Sequence, residues 1–183
     1  MNKKRICGTT CVILIIGLML SVVIITALNS AEIIRDVEIK NPDGTKGTVF
    51  VVFRPGLTSF NEAVVNQYIR GLVDSNWSVA VTTSSSQTPT NVTEYDLIVL
   101  ASPTNGGQPH ASILEYLTRV NLLGKPVVLI LTSAGMGGPG LDYFRNATIA
   151  ANGVVISAMQ FTIFESDAGS KAYTAGTEIS LEP

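Results

Sequence analysis

The sequence predicts an α/β domain, a parallel sheet clad by helices on both faces, standing behind an apolar N-terminal segment. Three observations carry this. From Thr48 onward, short β-branched and aromatic runs alternate with amphipathic stretches. The runs are apolar without a break, as strands buried on both faces are, whereas a strand with one wet face alternates. Loops rich in Gly, Ser and Pro follow three of the runs. Strand and helix alternating at short spacing call for right-handed crossovers and therefore a parallel sheet. At 183 residues the chain has room for one ordinary domain.

The elements follow in order. Residues 1–30, "MNKKRICGTTCVILIIGLMLSVVIITALNS", carry Lys3, Lys4 and Arg5 and then no charge until Glu32. Val12 to Leu28 is almost wholly apolar, and extension back to Ile6 reaches the ~20 residues that span a bilayer. A cleaved signal peptide is the rival, but its apolar core is ~7–15 residues and "ITALNSA" is a poor cleavage site. The segment reads as an uncleaved signal-anchor, a single transmembrane helix. Its three cations place the N-terminus in the cytoplasm and the domain outside it. Residues 31–47 read as a polar linker and 48–183 as the domain. "TVFVVF" (48–53) is the first strand and "SFNEAVVNQYIRGLV" the first helix, with Ala63, Val64, Tyr68 and Leu72 on one face and Ser59 or Asn61 as its cap. "WSVAVT" is the second strand. "TSSSQTPTNVTE" then leaves room for at most a turn or two of helix before the third strand, "YDLIVLAS". "ASILEYLTRVNLL" is a helix, "KPVVLILTS" the fourth strand, "GLDYFRNATIAANG" a helix stopped by Gly153, and "VVISAMQFTIF" the fifth strand.

Charge and composition exclude several functions. Three of the twelve Lys/Arg precede the apolar run, which leaves nine against all fourteen acids in the rest, a net charge of −5. A mildly acidic domain is no match for nucleic acid or an anionic lipid surface. Both cysteines, Cys7 and Cys11, lie in the N-terminal segment, so the domain has neither a disulfide framework nor a Cys-based metal site. The sequons at Asn76, Asn91 and Asn146 agree with an outside location. A single histidine, His110, at a helix start and without a partnered nucleophile, gives no Ser-His-Asp chemistry and reads as a neutral surface residue. Tyr68, Tyr116 and Phe144 fall at helical spacing with other apolar residues and read as core.

"YDLIVLASPTNGGQP" followed by "KPVVLILTSAGMGG" resembles the third and fourth strands of flavodoxin-like proteins, with their "YD-apolar-G/A-S-P-T/V-Y-x-G" and Thr/Ser/Gly-rich loops. The likeness runs from about Thr48 to Ile179, and "SKAYTAGTEIS" is similar to the start of the family's last helix, here shortened. The family resemblance, which takes in FMN-binding flavodoxins and NAD(P)H-quinone-reductase-like domains, implies a three-layer sandwich on a five-stranded parallel sheet in the order 2-1-3-4-5. In that order the ligand sits beyond the carboxyl ends of the strands, at the junction of the first and third, as FMN does in the standing example of the rule.

Three loops meet there: "RPGLTS", "SPTNGGQP" and "TSAGMGGPG". Small residues let backbone N–H groups approach a ligand, and a helix N-terminus favours an anion. The resemblance therefore implies FMN, its phosphate at Arg54, Gly56, Thr58 and Ser59, and its ring at Pro103, Thr104, Asn105, Gly106 and Gly107 and at Ser133, Ala134, Gly135, Gly137 and Gly138. The family's phosphate loop reads "S/T-x-T-G-x-T". Aligned on Gly56, two of its hydroxyl positions are Phe53 and Pro55, and Pro55 also lacks an N–H. Arg54 reads as a loop cation facing solvent, and Asn105 stands where a stacking aromatic is common. Two functions follow: a membrane-anchored FMN protein that carries electrons to a redox partner or reduces a quinone-like small molecule, or a flavin-free domain kept as an extracytoplasmic interaction module.

Overall fold

The computed structural model describes residues 14–24, 26–27, 31–135 and 138–181. The chain forms two compact units, Met1–Ala31 and Glu32–Pro183. In the first, residues 14–24 and 26–27 are helical (α1), and the side chains of 14–24 are exposed. Among the described residues no helix is long and apolar enough to cross a membrane. The remainder of the expected span, with Cys7 and Cys11, lies outside the described residues.

The second unit holds the sheet. Its elements are β1 (Glu38–Lys40), β2 (Thr48–Phe53), α2 (Phe60–Asp74), β3 (Ser78–Thr83), β4 (Leu97–Asn105), β5 (Gln108–Pro109), α3 (Ala111–Arg119), β6 (Pro126–Ser133), α4 (Gly140–Ala150), β7 (Val154–Thr162) and α5 (Ala168–Glu178). The sheet order is β1-β3-β2-β4-β6-β7, with β5 paired to β4. The five long strands are parallel to one another and stand in the expected 2-1-3-4-5 order. The count differs: among the described residues seven strands form, because β1 adds antiparallel to β3 and β5 folds back antiparallel on β4.

Alternate residues of each strand face opposite layers. Val49, Val51, Val99, Val128 and Ile130 pack with Val64, Tyr68 and Leu72 of α2 and Ala168 and Ala172 of α5. Phe50, Val52, Leu100, Leu129 and Leu131 pack with Ile113, Tyr116 and Leu117 of α3 and Phe144 of α4. This is the three-layer sandwich, and Tyr68, Tyr116 and Phe144 are core as expected. Ala63 is exposed, and the buried face of α2 turns instead through Asn61, Val64, Val65, Tyr68, Ile69 and Leu72. Against α5 the helix lies backbone to backbone: a Cβ on Gly71 meets the Tyr173 carbonyl oxygen and one on Gly176 meets that of Tyr68.

Several boundaries differ for local reasons. Part of the stretch read as linker is structure: Thr82 Oγ1 donates to the Arg35 carbonyl at 2.7 Å and Thr83 Oγ1 to that of Ile33 at 2.6 Å, laying residues 33–35 along the end of β3 before β1 pairs with it. No helix forms between β3 and β4. α3 ends at Arg119, short of Leu123, because Val120 turns extended. α4 is stopped by Asn152, whose φ of 63° is left-handed, with Gly153 following it. Gly153 serves packing instead, since a Cβ there falls within 2.9 Å of Leu122, Thr148 and Val127 side chains.

Candidate functional site

The carboxyl ends of β2, β4 and β6 deliver the three loops to one edge of the sheet. β2 is held there on both sides. The Arg54 N–H donates to the Ala101 carbonyl and the Ser84 N–H to that of Phe53, each at 2.9 Å, so the strand pairing continues into the loop. Phe53 is therefore the buried last residue of β2, where the loop begins. Arg54 is buried as well, at 3 % exposure, which corrects its reading as a solvent-facing cation. Burial lowers the pKa of its guanidinium, and the Glu32 carboxylate opposes that shift. Pro55 is buried, Gly56 half-buried, and Leu57, Thr58 and Ser59 are exposed where α2 begins.

Neither expected residue caps α2 through its side chain. Ser59 occupies the N-cap position with helical backbone angles and no side-chain bond. Asn61 points inward: its Nδ2 donates to the Arg54 carbonyl at 2.5 Å, and its Oδ1 accepts from Thr132 Oγ1 at 2.8 Å. This buried amide ties the start of the first loop to the end of β6. Its sequence signal was indistinct, since an Asn at a helix start reads as a cap before it reads as a bridge.

The stretch "ASPTNGGQP" is a hairpin. β4 runs on to Asn105, Thr104 pairs with Pro109 and Asn105 with Gln108, and Gly106 and Gly107 form the turn at φ 60° and 80°. Two positive φ values in a two-residue connection are what such a hairpin demands, and glycine adopts them without strain. The turn geometry accounts for both glycines. Asn105, Gly106 and Gly107 are exposed, and Pro103 and Thr104 half-buried. The hairpin is braced at its base, where the His110 N–H donates to Ser102 Oγ at 2.8 Å.

His110 is buried, contrary to its reading as a surface residue. It is the N-cap of α3, with Nδ1 accepting from the Ser112 N–H at 3.2 Å. Its ring also meets Ser112 Oγ at 3.0 Å, and that hydroxyl meets Ser84 Oγ at 2.8 Å. The short polar chain joins the β3 and β4 loops but includes no carboxylate, and its ring nitrogen is committed to the cap. The β3 loop, which the sequence did not single out, also reaches this edge. Ser85 N–H donates to Thr88 Oγ1 at 2.7 Å, and Arg119 clamps the Ser85 carbonyl at 2.6 Å. Glu32 closes the flank, accepting from the Ser86 N–H. That backbone bond holds its carboxyl below the usual carboxylate range, with the Ser86 side chain, Arg119 and Arg54 adding to the effect.

After β6, Ser133 is buried and donates to the Gly135 carbonyl at 3.0 Å. Ala134, Gly135 and Gly138 are exposed, and Gly137 lies outside the described residues. A Cβ added at Gly135 or Gly138 meets nothing within 4 Å, and neither has a positive φ. Packing and backbone strain thus leave these two glycines free for another use. The exposed Thr58 and Ser59 at the start of a 15-residue helix suit an anion. Pro55 and the inward Arg54 fit a phosphate less well.

No protein-family model matches the chain, and no curated protein matches it. Solved structures do. The two-electron reduced flavodoxin of Megasphaera elsdenii superimposes with a TM-score of 0.61 at 21% identity, covering 72% of this chain and 99% of that one. Oxidised Flavodoxin 2 of Bacillus cereus gives 0.61 at 14% identity, over 70% and 94%. The flavodiiron core of Flv1 from Synechocystis sp. PCC6803 gives 0.58 at 17% identity, over 75% and 36%. The fold of the second unit is flavodoxin-like.

Proposed function

We propose that this chain is a membrane-anchored flavodoxin-like protein that binds flavin at the carboxyl edge of its sheet. There it carries electrons to a redox partner or reduces a quinone-like small molecule. The observation that carries the reading is the open edge itself: three βα loops converge at the reversal of strand order, where Gly135 and Gly138 keep backbone exposed without any demand from packing. Thr58, Ser59 and Gly56 are the residues for the phosphate; Pro103 to Gly107 and Ser133, Ala134, Gly135 and Gly138 flank the ring. Bound flavin supplies the redox chemistry, and the protein supplies position and electrostatics. Purified protein carrying flavin absorbs in the visible, and apo-protein quenches the fluorescence of added FMN. A colourless protein that leaves FMN and riboflavin fluorescence unchanged at high micromolar concentration removes this reading.

A second reading rests on Phe53, Arg54 and Pro55, all turned into the protein. A flavin-free interaction module needs no phosphate donors there, and the same titration decides for it. The anchor is proposed from the sequence: an apolar run preceded by Lys3, Lys4 and Arg5 places the N-terminus in the cytoplasm and the domain outside. Protease added to intact cells then digests the domain, whereas full protection reverses the topology.

A further inference from the structure

The chain holds two Asn-Gly dipeptides, Asn105-Gly106 and Asn152-Gly153. In such a pair the glycine nitrogen can close on the carbonyl carbon of the asparagine side chain, because no Cβ stands in its way. The fold treats the two pairs in opposite ways. Asn152-Gly153 is locked. The Gly153 N–H donates to the Thr148 carbonyl at 3.0 Å, and the Asn152 carbonyl accepts from the Gly124 N–H at 2.7 Å. The Asn152 side-chain amide donates to Asn121 Oδ1 at 3.3 Å. Gly153 is buried against the side chains of Leu122, Thr148 and Val127. The nitrogen that would attack is committed, and freeing it takes the end of α4 apart.

Asn105-Gly106 is open. Both residues are exposed at the tip of the hairpin. Among the described residues neither the Asn105 side chain nor the Gly106 N–H makes a hydrogen bond. A Cβ at Gly106 would meet nothing within 4 Å, so no neighbour shields its nitrogen. Only two residue pairs, Thr104 with Pro109 and Asn105 with Gln108, close the hairpin. So short a ribbon opens locally with little loss, and opening releases Asn105 from the extended backbone that keeps its side chain from the next nitrogen.

From this contrast we propose that Asn105 is a site of spontaneous, backbone-assisted deamidation, and that Asn152 is protected from it. The Gly106 nitrogen loses its proton and bonds to Asn105 Cγ; the bond from Cγ to the side-chain nitrogen breaks, and ammonia leaves. Water then opens the cyclic imide at either carbonyl, giving aspartate or isoaspartate. Water enters and ammonia departs, with no oxidant or reductant. Either product places a carboxylate in the stretch between Asp96 and Glu115, which carries none. In isoaspartate the main chain also runs through Cβ and Cγ, longer by one carbon–carbon bond of about 1.5 Å. A two-residue turn fixes the register of its strands by its length, so isoaspartate also undoes the pairing of β4 with β5. On the flavin reading this tip flanks the ring, but the reaction itself does not depend on that reading.

The test incubates the full chain in detergent micelles at mildly alkaline pH and follows tryptic peptides 71–119 and 146–171 by tandem mass spectrometry. In the folded protein Asn105 is expected to convert at least about tenfold faster than Asn152, because hairpin tips open more readily than packed helix ends. Denaturant removes the fold and brings the two rates together. Enzymatic methylation of isoaspartate rises in step with the conversion. Asn105→Gln, whose longer side chain needs a larger ring, abolishes both signals from peptide 71–119. These readouts need no flavin, so a colourless protein leaves them standing. Equal rates at the two asparagines in the folded protein, or an Asn105 that reacts only after unfolding, overturns the proposal.

Discussion

Asn61 is the residue on which the candidate site and the stability of the sheet edge meet. Its side chain is 2 % exposed, and it donates to the Arg54 carbonyl and accepts from the Thr132 hydroxyl. Asn61→Ala removes both bonds in one step. A typical internal hydrogen bond contributes ~0.5–1.5 kcal/mol, and a buried hydroxyl left without an acceptor costs ~1–3 kcal/mol more. Thr132 is 2 % exposed, so water does not replace the lost acceptor. The total is about 2–6 kcal/mol. In a domain of this size 1 kcal/mol moves Tm by about 2–4 °C, which gives a fall of about 4–24 °C. Thr132→Val removes the hydroxyl itself, so the double variant is less destabilised than the sum of the two single ones, by about 0.5–3 kcal/mol. Thermal unfolding followed by circular dichroism measures all four proteins. The same variant frees the first loop from β6, so flavin affinity falls with it. An Asn61→Ala protein that melts within ~2 °C of the parent, or two strictly additive substitutions, refutes the buried bridge.

The hairpin and the β6 loop separate a turn from a site. Gly107→Ala places a side chain at φ 80° and costs about 1–2 kcal/mol of stability. Gly135→Ala meets open space, so it leaves Tm within ~1 °C while weakening flavin binding; equal effects of both on Tm count against this division. Phe53 and Pro55 remove two donors from the phosphate loop, a deficit of roughly 3–6 kcal/mol that only FMN feels. The preference for FMN over riboflavin is then about a hundred- to ten-thousand-fold smaller than an intact loop gives. Since Arg54 is buried, that preference changes little with salt; titrations of both flavins at two ionic strengths read both points. Finally, the Glu32 carboxyl is held below its unfolded pKa, so its bond to Ser86 is at full strength above the ordinary carboxylate range and is lost as pH falls through the lower folded value. Protection of the Ser86 amide, its exchange rate relative to a free amide at the same pH, falls as acidification passes that folded value, and Glu32→Gln abolishes that step.

How much of this was legible beforehand depended on whether a signal was local. The core strands were, because a strand buried on both faces must be apolar at every position, and "TVFVVF", "LIVL" and "VVLIL" have no other reading. The strand order followed from a resemblance carried by two adjacent loops. The large core residues Tyr68, Tyr116 and Phe144 followed from helical spacing. The glycines of the third loop were visible, but not their reason: that Gly106 and Gly107 form a turn depends on β4 continuing past Ser102, which pairing with β5 decides.

What only the tertiary structure decided concerns groups whose partners lie far along the chain. Asn61 finds Thr132, Glu32 finds Ser86, and His110 reaches Ser84 through Ser112. A polar side chain announces that it needs a partner and not which one, so the sequence reads each by its commonest local role: a cap for Asn61, a solvated face for His110, a loop cation for Arg54. Burial overturned these roles, because a polar group taken out of water must find its bonds wherever the packed sheet puts them. The same applies to the two edges of the sheet, β1 and β7. The charges of β1 and their absence in "VVISAMQFTIF" are written in the chain, but that both segments are edges was set by how seven strands arrange themselves.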